Sequence, residues 1–210
     1  MTKYLLFFCF IFLFFTNTSA QIITEEKWYE GKIFFKDSSI VLTLLNYDFN
    51  SQILRIKSNG QLRTFNPFQI LGFEFLDSEL DTLRTFSVFS YPKTPNYPVD
   101  MIFEVLEKGK FSLLSQDVLV ADYNDPSPMF NNSPGMGGNM IEDRQITYRY
   151  LRTHFVYEEK KKKFTRLSKP KKYFSNLSSQ FPTLKKFMKE NKLKPARERD
   201  MKRILKWMNG

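Results

Sequence analysis

Ile53-Leu54-Arg55-Ile56-Lys57-Ser58-Asn59-Gly60-Gln61-Leu62-Arg63-Thr64-Phe65 is the stretch that decides how this 210-residue chain folds. Apolar and basic side chains alternate over Ile53–Lys57, the period-2 signature of a half-buried strand. Asn59-Gly60 then supplies the residues that accept the positive φ angles of a type I′ turn, and Gln61–Phe65 runs back as the second strand of a hairpin. Upstream, Gly31–Asp37 and Ile40–Tyr47 read as strands joined at Asp37-Ser38-Ser39, with a further turn over Asp48–Ser51. Downstream, the spacing predicts strands over Ile70–Phe75, Leu83–Tyr91, Met101–Leu106 and Phe111–Ala121, the last two joined by Lys108-Gly109-Lys110. Turns this short connect only antiparallel neighbours, and no helix-length period interrupts the series. An antiparallel barrel or sandwich is the expectation.

The pattern breaks at Asn124–Met140, which is rich in Pro, Gly and Asn and reads as a mobile loop extending to about residue 142. Gly135, Gly137 and Gly138 lack the Gly-Lys-Ser/Thr of a phosphate loop, so they mark flexibility rather than nucleotide binding. Strand character returns over Ile146–Tyr157, where tyrosines are interleaved with Arg149, Arg152 and His154. The last part changes period. Phe174, Leu177 and Phe181, then Leu184, Phe187 and Met188, then Met201, Ile204, Leu205 and Met208 form apolar stripes at helical spacing. Pro182 and Pro195 mark helix starts and Asn209-Gly210 a stop. The class is therefore α+β, a β-rich region over 21–158 followed by about three short helices in a basic region over 159–210.

Gly31–Asp37, the turn at Leu45–Asp48, and the helical endings Phe187–Leu193 and Asp200–Leu205 resemble a set of β-rich exported proteins of Gram-negative envelopes. The likeness spans most of residues 21–210. It implies an envelope setting and brings no activity with it. Those proteins usually carry Gly where Ser38 or Leu44 stands here.

The N-terminus predicts export independently. Lys3 is followed by an apolar run from Tyr4 to Phe15 and then by Thr16–Ala20, which puts Thr18 and Ala20 three and one before a cut between Ala20 and Gln21. The apolar run is shorter than the ~20 residues needed to span a membrane as a helix. The expected location is periplasm, outer envelope or medium. Cys9 is the one cysteine. Removal of residues 1–20 leaves no disulfide, no cysteine nucleophile and no thiolate metal site. No second apolar segment is long enough to form a transmembrane helix.

The formal net charge of +10 is divided unevenly. Residues 21–150 hold 12 Lys/Arg against 17 Asp/Glu, whereas residues 151–210 hold 19 against 5. Lys160, Lys161, Lys162, Lys163, Lys171 and Lys172 make the densest run, and Arg199, Lys202, Arg203 and Lys206 lie off the apolar stripe of the last helix. These residues are the candidate contacts for a polyanion, either an anionic envelope surface or a polysaccharide. The competing reading is a solvated face that keeps the domain soluble. Export argues against sequence-specific nucleic-acid binding, and a protein partner is left open.

Few residues carry chemistry. His154 is the one histidine, which excludes the common zinc and triad sites. Asp77, Glu79 and Asp81 alternate without closing a calcium loop, and no cofactor motif is present. Two carboxylates suffice for glycoside cleavage, so Glu74, Asp77, Glu79, Asp81 and Glu104 support an alternative reading as a glycan hydrolase. The leading expectation is a non-enzymatic exported binding or structural protein.

Overall fold

The computed structural model describes residues 27–58, 60–94, 96–123 and 146–210. The expected signal segment with its Ala20/Gln21 cut, the loop near 124–142, and Asn59 of the hairpin turn lie outside the described residues. Ten strands form one sheet: β1 (Tyr29–Phe35), β2 (Ile40–Asp48), β3 (Ile53–Ser58), β4 (Gln61–Phe65), β5 (Ile70–Asp77), β6 (Thr82–Thr94), β7 (Tyr97–Glu107), β8 (Phe111–Tyr123), β9 (Ile146–Glu158) and β10 (Lys163–Arg166). Their order is β10-β9-β8-β7-β6-β5-β1-β2-β3-β4, every pair antiparallel. Three helices follow, α1 (Pro170–Leu177), α2 (Leu184–Glu190) and α3 (Glu198–Asn209). The expected α+β class holds, with a sheet that stays open.

That open sheet is rolled rather than flat. Phe35 of β1 and Phe65 of β4 stand three strands apart, about 14 Å in a flat sheet, yet their ring centroids are 5.1 Å apart. Ile33, Leu45, Leu54, Ile70, Phe73 and Phe86 fill this first roll. A compact turn over residues 66–69 joins β4 to β5, with the Phe68 N–H donating to Asn66 Oδ1 and the Gln69 N–H to the Asn66 carbonyl. At the other end, Phe164 of β10 lies 5.2 Å from Tyr91 of β6, four strands away. Phe103, Leu114 and Phe155 are buried in this second roll.

Strand alternation explains how one sheet serves both rolls. On β6, Phe86 and Val88 enter the first core while Phe89 and Tyr91 enter the second. On β7, Ile102 and Phe103 divide the same way. The two rolls therefore use opposite faces of β6 and β7.

β7 and β8 pair only between Glu104–Glu107 and Leu113–Ser115, then diverge. The β2–β3 turn fills the fork. Gln52 Oε1 accepts the Ile102 N–H at 2.7 Å, and Asn50 Oδ1 accepts the Leu119 N–H at 3.0 Å. Each side-chain amide thus replaces a strand partner that the fork removes. Ser38 adopts φ 69°, a left-handed conformation that suits glycine.

The helices cover the sheet face that also carries the first core. Phe174, Leu184, Met201, Ile204 and Leu205 pack on Leu113 and Val156. Pro170 opens α1 with its preset φ. Asn209, expected as a stop signal, clamps α3 to β8 by accepting the Phe111 N–H and donating to the Phe111 carbonyl. Buried Asp200 accepts the Lys194 N–H at 2.9 Å and fixes the entry to α3. Among the described residues no helix is long and apolar enough to cross a membrane.

Candidate functional site

The lysine run Lys160–Lys163 forms the β9–β10 connection. Lys160, Lys161 and Lys162 sit in the turn and Lys163 begins β10, all four exposed. Lys162 takes a positive φ of 48° to reverse the chain. The Glu159 N–H donates to the Lys110 carbonyl at 3.0 Å, which brings the β7–β8 turn and its Lys108 and Lys110 beside this run. Those two lysines belong to the candidate site and sequence reasoning did not find them. Lys108-Gly109-Lys110 reads as turn chemistry in a sequence, and only the pairing of β8 with β9 sets it beside Lys160.

Helix α1 runs next to the same turn. Burial, and after it the charge of Glu158, push the Tyr173 phenol up to about 12. Lys171 and Lys172 lie exposed in the first turn of α1, which contains no acidic residue. A helix N-terminus carries partial positive charge, so two cations there are poorly placed unless an anion joins them. With Lys169, Ser175 and Asn176 they border an open groove of about 450 Å³ against Ala196.

The ten basic candidates divide into two groups. Lys160, Lys162, Lys163, Lys171, Lys172 and Lys206 form no ion pair with any described residue. The others are engaged: Lys161 with Glu158 at 2.8 Å, Arg199 with Asp200 at 3.8 Å, Lys202 with Glu198 at 3.7 Å, and Arg203 with the Asn191 amide oxygen at 3.4 Å. Lys202 thus joins an internal network instead of facing a ligand.

That network is the second polar feature. It lies on the sheet face between the first core and the helices. Arg84 grips Glu104 through two hydrogen bonds of 2.9 Å and reaches Asp77 at 3.6 Å. Arg152 bonds Glu104 at 2.8 Å, Asp117 at 3.1 Å and Glu198 at 2.8 Å. His154 Nε2 completes the chain with Glu198 at 3.0 Å. Burial pushes the Glu104 carboxyl up, but hydrogen bonding from Arg84 and the charges of Arg152 and Arg84 outweigh it and hold it low. The His154 hydrogen bond holds Glu198 at about 2, against its burial and with help from Arg152 and Lys202.

The carboxylates proposed for hydrolysis fare as follows. Glu74 pairs with Lys32, Glu79 with Lys27, and Asp77 caps its own turn through the Glu79 and Leu80 N–H groups. Glu104 is fixed in its ionised form, the wrong state for a general acid. The void beside it holds about 10 Å³, room for a single water. Among the described residues no three His, Cys, Asp or Glu side chains are grouped to hold a metal ion.

Compared with protein-family models, curated proteins and solved structures, the chain matches none.

Proposed function

We propose that this is an exported, non-catalytic binding protein of the envelope or the medium, and that its lysine-rich end holds an anionic surface or polysaccharide. The observation that carries the reading is the group Lys160, Lys162, Lys163, Lys171 and Lys172, exposed and without a carboxylate partner among the described residues. Lys108 and Lys110 enlarge the group from a neighbouring turn. Most acids of residues 151–210 are already used: Glu158, Glu190, Glu198 and Asp200 each take a basic partner there. A face kept soluble by charge needs no such segregation, whereas a polyanion gains from each uncompensated cation it meets. The Lys3–Ala20 pattern and the resemblance to exported envelope proteins support the location.

The test is binding of the purified protein to heparin, lipopolysaccharide and anionic vesicles across a salt series. Beside it stands a variant carrying Lys160→Ser, Lys162→Ser, Lys163→Ser, Lys171→Ser and Lys172→Ser. The expected result is affinity that falls steeply with salt and drops at least about tenfold in the variant. Equal binding by both proteins, or binding indifferent to salt, overturns the reading. For export, the N-terminus of the protein recovered outside the cytosol is expected to be Gln21, and recovery of Met1 there contradicts it.

A further inference from the structure

Beside the lysine-rich end, the second roll has an open mouth. A cavity of about 200 Å³ lies there between β6, β7 and the β7–β8 turn. Phe89, Val105 and Tyr157 give it an apolar and aromatic wall. Thr85 and Ser87, on the same face of β6 as Phe89, line it, and neither hydroxyl has a hydrogen-bond partner among the described residues. Lys108 and Glu159 stand at its rim, and neither forms an ion pair with a described residue.

We propose that this cavity binds one acidic sugar unit, a hexuronate, and so deepens the polyanion reading on which it rests. A cavity of about 150 Å³ accommodates a benzene ring, so this one offers the space of one sugar ring and not of a longer chain. Free hydroxyls that both donate and accept match a ring's own hydroxyls, and an aromatic wall matches its C–H face. Lys108 meets the single carboxylate. Glu159 accepts a ring hydroxyl and repels a second negative charge, which selects a monoanion over a phosphate dianion. The neighbouring Lys110 and Lys160 then hold the adjacent units of an acidic polysaccharide.

The experiment is a chemical-shift titration of the purified protein with glucuronate, glucose and glucose 6-phosphate, with heparin binding measured in parallel. Ser87→Leu fills the cavity and Thr85→Val removes one hydroxyl at constant volume. Glucuronate is expected to shift resonances around the cavity and to bind at least about tenfold more tightly than glucose or the phosphate. Ser87→Leu abolishes that binding and weakens heparin binding with it, and Thr85→Val weakens both several-fold. Glucuronate binding no better than glucose, a preference for the phosphate, or unchanged glucuronate affinity in both variants overturns the proposal. Heparin binding without glucuronate binding removes the subsite and leaves the polyanion reading. Loss of heparin binding from the unmodified protein removes that reading as well.

Discussion

Single residues in this protein are constrained most where strands or charges approach closely. Gly31 pairs with Thr43 on one side and Phe75 on the other, and a Cβ there meets the Glu74 carbonyl oxygen and the Leu45 side chain. Backbone oxygens of a central strand cannot withdraw, so Gly31→Ala is expected to destabilise by about 1–3 kcal/mol, read from the denaturant midpoint at unchanged slope. Glu104 is the other such position. Two guanidinium groups converge on it at 8% exposure. Glu104→Gln keeps the shape but leaves Arg84 and Arg152 short of a charge, which costs about 3 kcal/mol. Urea unfolding of this variant measures it, and a change below about 0.5 kcal/mol would mean that Asp77 and Asp117 suffice. No such constraint was visible in the sequence. Arg84, Glu104, Arg152 and Glu198 are far apart along the chain, and each alone looks like an ordinary surface charge.

Secondary-structure elements were more legible, because each repeats a local pattern. The strands from Gly31 to Ala121 and the stripes of α2 and α3 stand where periodicity puts them. β10 was missed. Lys163-Phe164-Thr165-Arg166 looks like the end of a charge run, and its strand state depends on Phe164 filling the second roll against Phe89, Tyr91 and Tyr157. The basic region is also less separate than its composition suggests. Leu113 and Val156 are buried beneath the helices, at 0% and 1% exposure. A chain ending near Val156 uncovers them and loses β10. It is therefore expected to lose cooperative thermal unfolding and to bind a hydrophobic dye. A sharp calorimetric transition in that truncation would show instead that the sheet stands alone.

At the scale of the whole molecule, a chain of charges ties the first roll to the helix layer. Its acids make stability depend on pH. Glu198 has a folded value of about 2 against an ordinary 4.5, and Glu104 is also held low. Below their ordinary values the unfolded chain binds the more protons. The contribution is therefore complete above about pH 4.5 and is lost as pH falls towards 2. Melting temperatures measured from pH 6 down to pH 2 are expected to fall across that window, and Glu198→Gln to flatten the fall. A parallel decline in the variant would place the acid sensitivity elsewhere.

Apart from β10, the sequence by itself determined the element types, the antiparallel connections and the charge asymmetry, since these depend on spacing and composition within a few residues. Lys160–Lys163 and Lys171–Lys172 were readable for the same reason. Tertiary structure alone decided that the sheet rolls in two directions without closing, because that follows from which aromatic rings meet across several strands. It also decided which cations are free, drawing Lys202 into the internal chain and bringing Lys108 and Lys110 to the basic end. Long-range pairing sets those neighbours, and no local pattern records it.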